Sequence, residues 1–424
     1  MSQTPQTPGS APGSTSSMPR SAAGAVPNPH RRARLAAGAA LFVQGLLFIS
    51  LTTRLPQIQR RWDLDELAVS GLLLMVVLLA GLGSVVAELV AHRASSAVVV
   101  RLGMLVAAGG FAALLTATSF EVFVTGLAAY GLALGLVDAS SNMQAVTVEH
   151  LYGRPILPSF HAFWTAGGIA ATLVTLATAD VPLGPGLLPL TVLPLLALFA
   201  PFVTTDPLPD PDAAAHAPVV PVVPVVPVVP VVPVVPWRRI ALLGLAMVLF
   251  YMVDTAATTW GPVYLDTTLN APSGLTALAT LPYLVATLVA RTLGDGLVDR
   301  HGAVWLLRGS GVVAAAALAV IVFAPSWGVA VLGFTLLGAA VATIAPLSFS
   351  AAGALAGSSD PLKVDRVVAR FNQFNYVGAL LGAVLTGVVG AQNLRIGFAV
   401  PMVLILGIIP LAAQFSVIRR GRDR

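Results

Sequence analysis

Apolar residues along this chain fall in blocks, and the polar residues collect between the blocks. A block of about 20 residues crosses a hydrocarbon core of about 30 Å as a helix. Most blocks lack the polar stripe at a 3.6-residue period that a soluble helix carries. The pattern predicts twelve transmembrane helices, at roughly 36–55, 67–91, 97–118, 121–147, 159–180, 184–204, 238–264, 273–298, 303–324, 327–356, 366–390 and 395–418. The fold class is all-α polytopic membrane protein.

One more apolar run, the Pro-Val-Val repeat from Pro218 to Pro236, tests that count. Proline recurs every third residue, and each one removes an amide donor and clashes with the preceding helical turn. An interior strand is excluded by the same missing donors. The period of three fits polyproline II, whose backbone has no internal hydrogen bonds and needs water. The run therefore reads as a stiff spacer of about 60 Å at about 3.1 Å per residue. Docking to a proline-recognition partner is the alternative use of such a segment.

Charge bias agrees with twelve crossings. With the N-terminus inside, the outer loops hold Arg54, Arg60, Arg61 and Arg395, Arg291 falls in a helix, and the remaining basic residues lie inside. A thirteenth crossing would reverse every loop after it. The expected location is the bacterial cytoplasmic membrane, with both termini cytoplasmic. Residues 1–34 read as a disordered tail, 35–204 and 238–418 as two six-helix bundles, 205–237 as a cytoplasmic linker, and 419–424 as a basic tail.

Three segment pairs support the two bundles. "TTRLP" at Thr52 matches "TTWGP" at Thr258, "LVAHRA" at Leu89 matches "LVDRHG" at Leu297, and "FHAFWTAGG" at Phe160 matches "FNQFNYVGA" at Phe371. The offsets are 206, 208 and 211 residues (258 − 52, 297 − 89 and 371 − 160). Two joined repeats of this kind are the architecture of a rocking secondary transporter.

Composition narrows the function classes. Of the 424 residues, 57% are hydrophobic and 10% charged, against about 25% charged in soluble domains. With no cysteine and no ligand spacing among the six histidines, no metal site or cofactor is expected. The net charge of +5 comes from arginines scattered at loop edges, which gives no nucleic-acid patch. No P-loop and no nucleophile–base set occur, so neither ATP-driven transport nor an enzyme is expected.

The helical part resembles the major facilitator superfamily (MFS). "RTLGDGLVDRHG" (Arg291 to Gly302) is similar to its helix 8–9 loop signature. "GLVDASSNMQAVTVEHLYGRPILPSFHAFWTAGG" (Gly135 to Gly168) and "DTAATTWGPVYL" (Asp254 to Leu265) resemble a bacterial subgroup near the fucose-permease-like branch. Three departures stand out. Ala91 and Ala94 replace the Asp and Gly of the first loop copy. Thr259 replaces a frequent Asp. The Gly-Pro motif of drug/proton antiporters is missing from helix 5.

An ionisable group inside a membrane helix is costly and suggests function. Asp138, mid-helix 4, has Asn142 on the same face four residues on. A carboxyl that changes protonation as the cavity alternates is what proton coupling requires. The resemblance places Asp138 at the acidic position of helix 4 implicated in proton-coupled sugar uptake. It also places helices 1, 4, 7 and 10 around the path, which makes Gln44, Asn142, Gln144, Asp254, Thr258 and Trp260 substrate-path candidates. His161, Arg291, Asp295, Asp299, Arg300, Asn372 and Asn375 are read as an inner gate. By resemblance, Asp299 docks on the start of helix 5, and Arg291 and Asp295 pair at i, i+4. The expected function is proton-coupled movement of a small solute by a monomer in the bilayer. An efflux antiporter and a non-transporting sensor or scaffold are the alternatives.

Overall fold

The computed structural model describes residues 28–152, 156–204, 236–356, 371 and 373–418. The tail before residue 28, the linker through Val235, the tail 419–424 and Asn372 fall outside the described residues, as does the side chain of Asp295.

Among the described residues, ten helices are long and apolar enough to cross a membrane: α1 His30–Thr53, α2 Glu66–Ala91, α3 Ser96–Thr116, α4 Phe120–Glu149, α5 Ser159–Ala177, α7 Trp237–Thr268, α8 Ser273–Gly294, α9 Ala303–Val322, α10 Trp327–Leu355 and α12 Leu394–Val417. Two shorter apolar helices, α6 Leu183–Ala197 and α11 Gln373–Val389, complete the twelve. No strand occurs among the described residues. Leu78, Leu82, Val85 and Leu89 form one exposed apolar stripe on α2, as a lipid-facing helix requires.

Several boundaries differ from the sequence expectation, each for a local reason. The first helix begins at Asn28, so Arg31, Arg32 and Arg34 are helical and not part of the tail. Helix α6 is interrupted by a tight 3₁₀ turn at Leu188–Thr191 and stops at Ala197, short of 204, where Pro201 has no amide to offer the Ala197 carbonyl. The tenth span breaks between Val341 and Ile344. Pro346 has no amide to offer the Ala342 carbonyl one turn earlier, and the Arg291 Nε donates to that carbonyl at 3.2 Å.

The repeat reappears in the packing. A Cβ on Gly167 would lie 2.1 Å from the Phe42 carbonyl oxygen, and one on Gly378 would lie 2.6 Å from that of Val248. These pairs are related by the sequence offsets, since 42 + 206 = 248 and 167 + 211 = 378. In both bundles the first helix thus lies backbone to backbone on the fifth, which only glycine allows. The loop signatures are not equivalent. Gly302 has φ 85 between α8 and α9, whereas Ala94 turns the first loop with φ −122.

The bundles meet along α2 and α11 and along α5 and α8. At the end away from the terminal arginines, Arg60 of the short helix Leu55–Trp62 forms an ion pair with Asp266 of α7. A Cβ on Gly168 of α5 would meet Leu284 of α8 at 2.9 Å.

Candidate functional site

Halfway along α4, Asp138 sits between the bundles. Its Oδ1 accepts from Asn142 Nδ2 at 3.4 Å and from Gln44 Nε2 of α1 at 3.5 Å. Its Oδ2 accepts from the Tyr376 hydroxyl of α11 at 2.7 Å. The Tyr376 oxygen also lies 2.6 Å from Ser84 Oγ on α2. The carboxyl is therefore held by amides of its own bundle and by a hydroxyl of the other. Four-residue spacing brings Asn142 over Asp138, and α1 supplies Gln44 by crossing α4.

A second polar group lies in the C-terminal bundle. Asp254 Oδ1 accepts a hydrogen bond from the Tyr283 hydroxyl of α8. Arg291, also on α8, crosses to the first bundle, where its Nη1 lies 3.4 Å from Thr165 Oγ1 on α5. Tyr251 of α7 is within electrostatic reach of Asp254, Arg291 and Asp138, so the two groups belong to one polar interior. His161 is exposed, and it stacks on Phe349 of α10 with centroids 6.5 Å apart.

Helix α7 is locally π-helical over Ala256–Trp260 and again over Tyr264–Thr268, and α11 over Leu381–Leu385. Such turns concentrate at functional positions. Here they lie toward the Arg60–Asp266 end from Asp254 and Tyr376.

Several predicted residues have their polar groups bonded within the protein. Gln144 is fully buried at the arginine-rich end. Its Nε2 donates to Ser96 Oγ at 2.7 Å and to the Val203 carbonyl at 2.8 Å, and its Oε1 accepts from the Val203 amide at 2.8 Å. Both ends of the amide are occupied, because helical geometry turns position 144 away from position 138. Trp260 is also buried, and its indole N–H donates to the Ala383 carbonyl at 2.7 Å, joining α7 to α11. The Thr258 hydroxyl is folded back on the Asp254 carbonyl at 2.8 Å. Asp299 and Arg300 are exposed, and their side chains make no hydrogen bond or ion pair among the described residues. The start of α5 is engaged instead by Arg34, whose Nη2 donates to Ser159 Oγ at 3.1 Å. Asn375 is partly buried beside Tyr376 on α11.

Sequence reasoning passed over Tyr376, Ser84, Tyr283 and Thr165. The repeat held the signal for two of them. The offset of 211 carries Thr165 onto Tyr376 (165 + 211 = 376), and each meets a side chain of the opposite bundle from the fifth helix of its own.

Twelve apolar helices in two repeat-related bundles, with polar side chains bridging them at mid-depth, define the fold of the major facilitator superfamily. No protein-family model matches the chain. An uncharacterized transporter of Sinorhizobium fredii is 26% identical over 325 residues, 74% of this chain and 81% of that protein. An uncharacterized MFS-type transporter of Yersinia pestis is 23% identical over 375 residues, 87% of this chain and 91% of that protein. Among solved structures, the nucleoside transporter NupG superposes with a TM-score of 0.66 at 17% identity, covering 91% of this chain and 100% of its own. The Escherichia coli fucose:proton symporter FucP superposes with a TM-score of 0.59 at 17% identity, covering 90% and 98%. The resemblance read from the sequence holds: the chain has the fold of these transporters and is similar over most of its length to relatives described as transporters, one of them of the MFS type.

Proposed function

We propose that this protein is a secondary active transporter that moves a small polar solute by alternating access, driven by protons through Asp138. The observation that carries the reading is a carboxyl at mid-depth of a membrane helix, between the bundles, bonded to polar groups of both. Among the described residues no cation lies within ion-pair distance of Asp138, so its charge is not cancelled by a fixed partner. Gain and loss of a proton are the means by which such a group fits both states of a cycle. Gln44, Asn142 and Asp254 line the solute's path in this reading, and His161, Arg291 and Asn375 gate it. The two bundles rock as bodies about that path in the bacterial cytoplasmic membrane, with the arginine-rich face cytoplasmic.

The test uses proteoliposomes holding a pH-sensitive dye. The panel spans nucleosides and monosaccharides, the solutes named for the two structural neighbours, extended to sugar acids, amino acids and lipophilic cations. A solute that raises the melting temperature of the purified protein is carried forward. Its addition should drive proton entry in the native protein. Asp138→Asn should abolish that proton flux while the solute still raises the variant's melting temperature. Solute-driven proton flux of native size in Asp138→Asn sinks the assignment. Stabilisation by lipophilic cations alone moves the reading to drug efflux.

A further inference from the structure

Of the four groups around the Asp138 carboxyl and its partner, Gln44, Asn142 and Ser84 belong to the same bundle as Asp138. Their distances to it do not report on how the bundles sit. Tyr376 alone among the described hydrogen-bond partners comes from the other bundle. Its hydroxyl is spent on that bundle twice, at Asp138 Oδ2 and at Ser84 Oγ. The Gly378 contact two residues along fixes α11 on α7, since a Cβ there would lie 2.6 Å from the Val248 carbonyl and from Tyr251 Cβ. Tyr376 therefore moves as part of the C-terminal bundle.

A phenol bonded to an ionised carboxylate makes a charge-assisted hydrogen bond, roughly twice as strong as the bond to a neutral carboxyl. Protonation of Asp138 weakens this tie between bundles without touching any other described one. The remaining titratable and charged groups facing the site are Tyr251 of α7 and, through it, Asp254 and Arg291. None of these bonds directly to Asp138. We infer that Tyr376 is a positioning residue that couples the proton on Asp138 to the closure of the two bundles: the Tyr376–Asp138 bond holds the bundles in the arrangement seen here while Asp138 is ionised and releases them when it is protonated. This rests on the reading of Asp138 as the proton carrier and adds the element that carries the proton's effect to the fold.

The chain has no cysteine, so pairs of cysteines can be introduced into the native background. Asp63→Cys and Ser273→Cys place spin labels on exposed sites of the two bundles at the Arg60–Asp266 end. The label separation is measured by pulsed electron resonance in acidic and alkaline buffer. In the native background, acid should raise the population with separated labels. Tyr376→Phe keeps the ring and removes the bond. It should flatten the pH dependence and shift the alkaline open-to-closed ratio about tenfold toward open, the weight of one charge-assisted bond. Gln44→Ala, a same-bundle contact, should keep a pH-dependent response.

Native pH dependence in Tyr376→Phe overturns the coupling role. If Asp138→Asn alone then loses the response, Asp138 remains the carrier and Tyr376 is dismissed. If Asp138→Asn also keeps it, the carrier reading falls as well. Should Tyr376→Phe fail to fold, Ser84→Ala, which only loosens the phenol, takes its place. It should shrink the pH response, and an unshrunken response overturns the inference.

Discussion

Arg54 shows how one residue can be misjudged by its type. An arginine at the end of a membrane helix is expected to face water, yet this side chain is 1% exposed. No carboxylate pairs with it among the described residues. Its Nη2 donates to the Thr178 carbonyl at 2.7 Å and its Nη1 to Gln57 Oε1 at 2.8 Å and the Val181 carbonyl at 3.3 Å. These carbonyls follow the end of α5, where the helix dipole is negative and acceptors are left without amides. The cation thus caps a helix of its own bundle. Arg54→Lys keeps the charge but supplies a single nitrogen to a fan of acceptors. The expected cost is about 2 kcal/mol, read as a lower melting temperature in detergent. Solute-driven proton flux by the surviving protein should be retained.

At the scale of elements, close helix contact is bought with glycine. A side chain at Gly167 would run into the Phe42 carbonyl, and backbone cannot yield as a flexible side chain can. Gly167→Ala should push α1 from α5 and remove the monodisperse folded peak on size exclusion. Gly109→Ala adds a methyl where nothing lies within 4 Å, so that variant should elute as the native protein does. Both sites read alike in the sequence, a glycine in an apolar helix. Gly378 and Gly382 were legible as a close-packing pair by their spacing. The partner, α7, was not, because spacing names a face and not what covers it.

For the whole molecule, Arg60 and Asp266 join the bundles at one end while Tyr376 joins them at mid-depth. An exposed ion pair contributes little and is screened by salt. Arg60→Ala should therefore raise the labelling of a cysteine at Ser70, buried beside Gly387 between α2 and α11, by a modest factor. Added salt should do the same to the native pair, and Asp266→Ala in the Arg60→Ala background should add nothing. Equal labelling in all backgrounds would remove the pair as a latch. The Pro-Val-Val run belongs to this scale too. Shortening it by Pro218 to Val235 should leave solute flux intact if it only spaces the bundles.

The sequence determined what one-dimensional chemistry controls. Block length and the lack of polar stripes made the helices and the membrane. Proline period argued against a thirteenth span, and repeated segments pointed to two bundles. The cost of a carboxyl in lipid singled out Asp138. Tertiary structure alone decided which polar groups share a site. Gln144 and Trp260 were plausible by type and were consumed by Val203 and Ala383, residues 59 and 123 positions away. Arg291 bonds the Ala342 carbonyl because Pro346, on another helix, leaves that carbonyl without an amide. Tyr376 acquires its partner from a helix 238 residues back in the chain. Hydropathy is a property of segments and survives in the sequence. A hydrogen bond between bundles depends on how two bodies dock, and no local pattern records that.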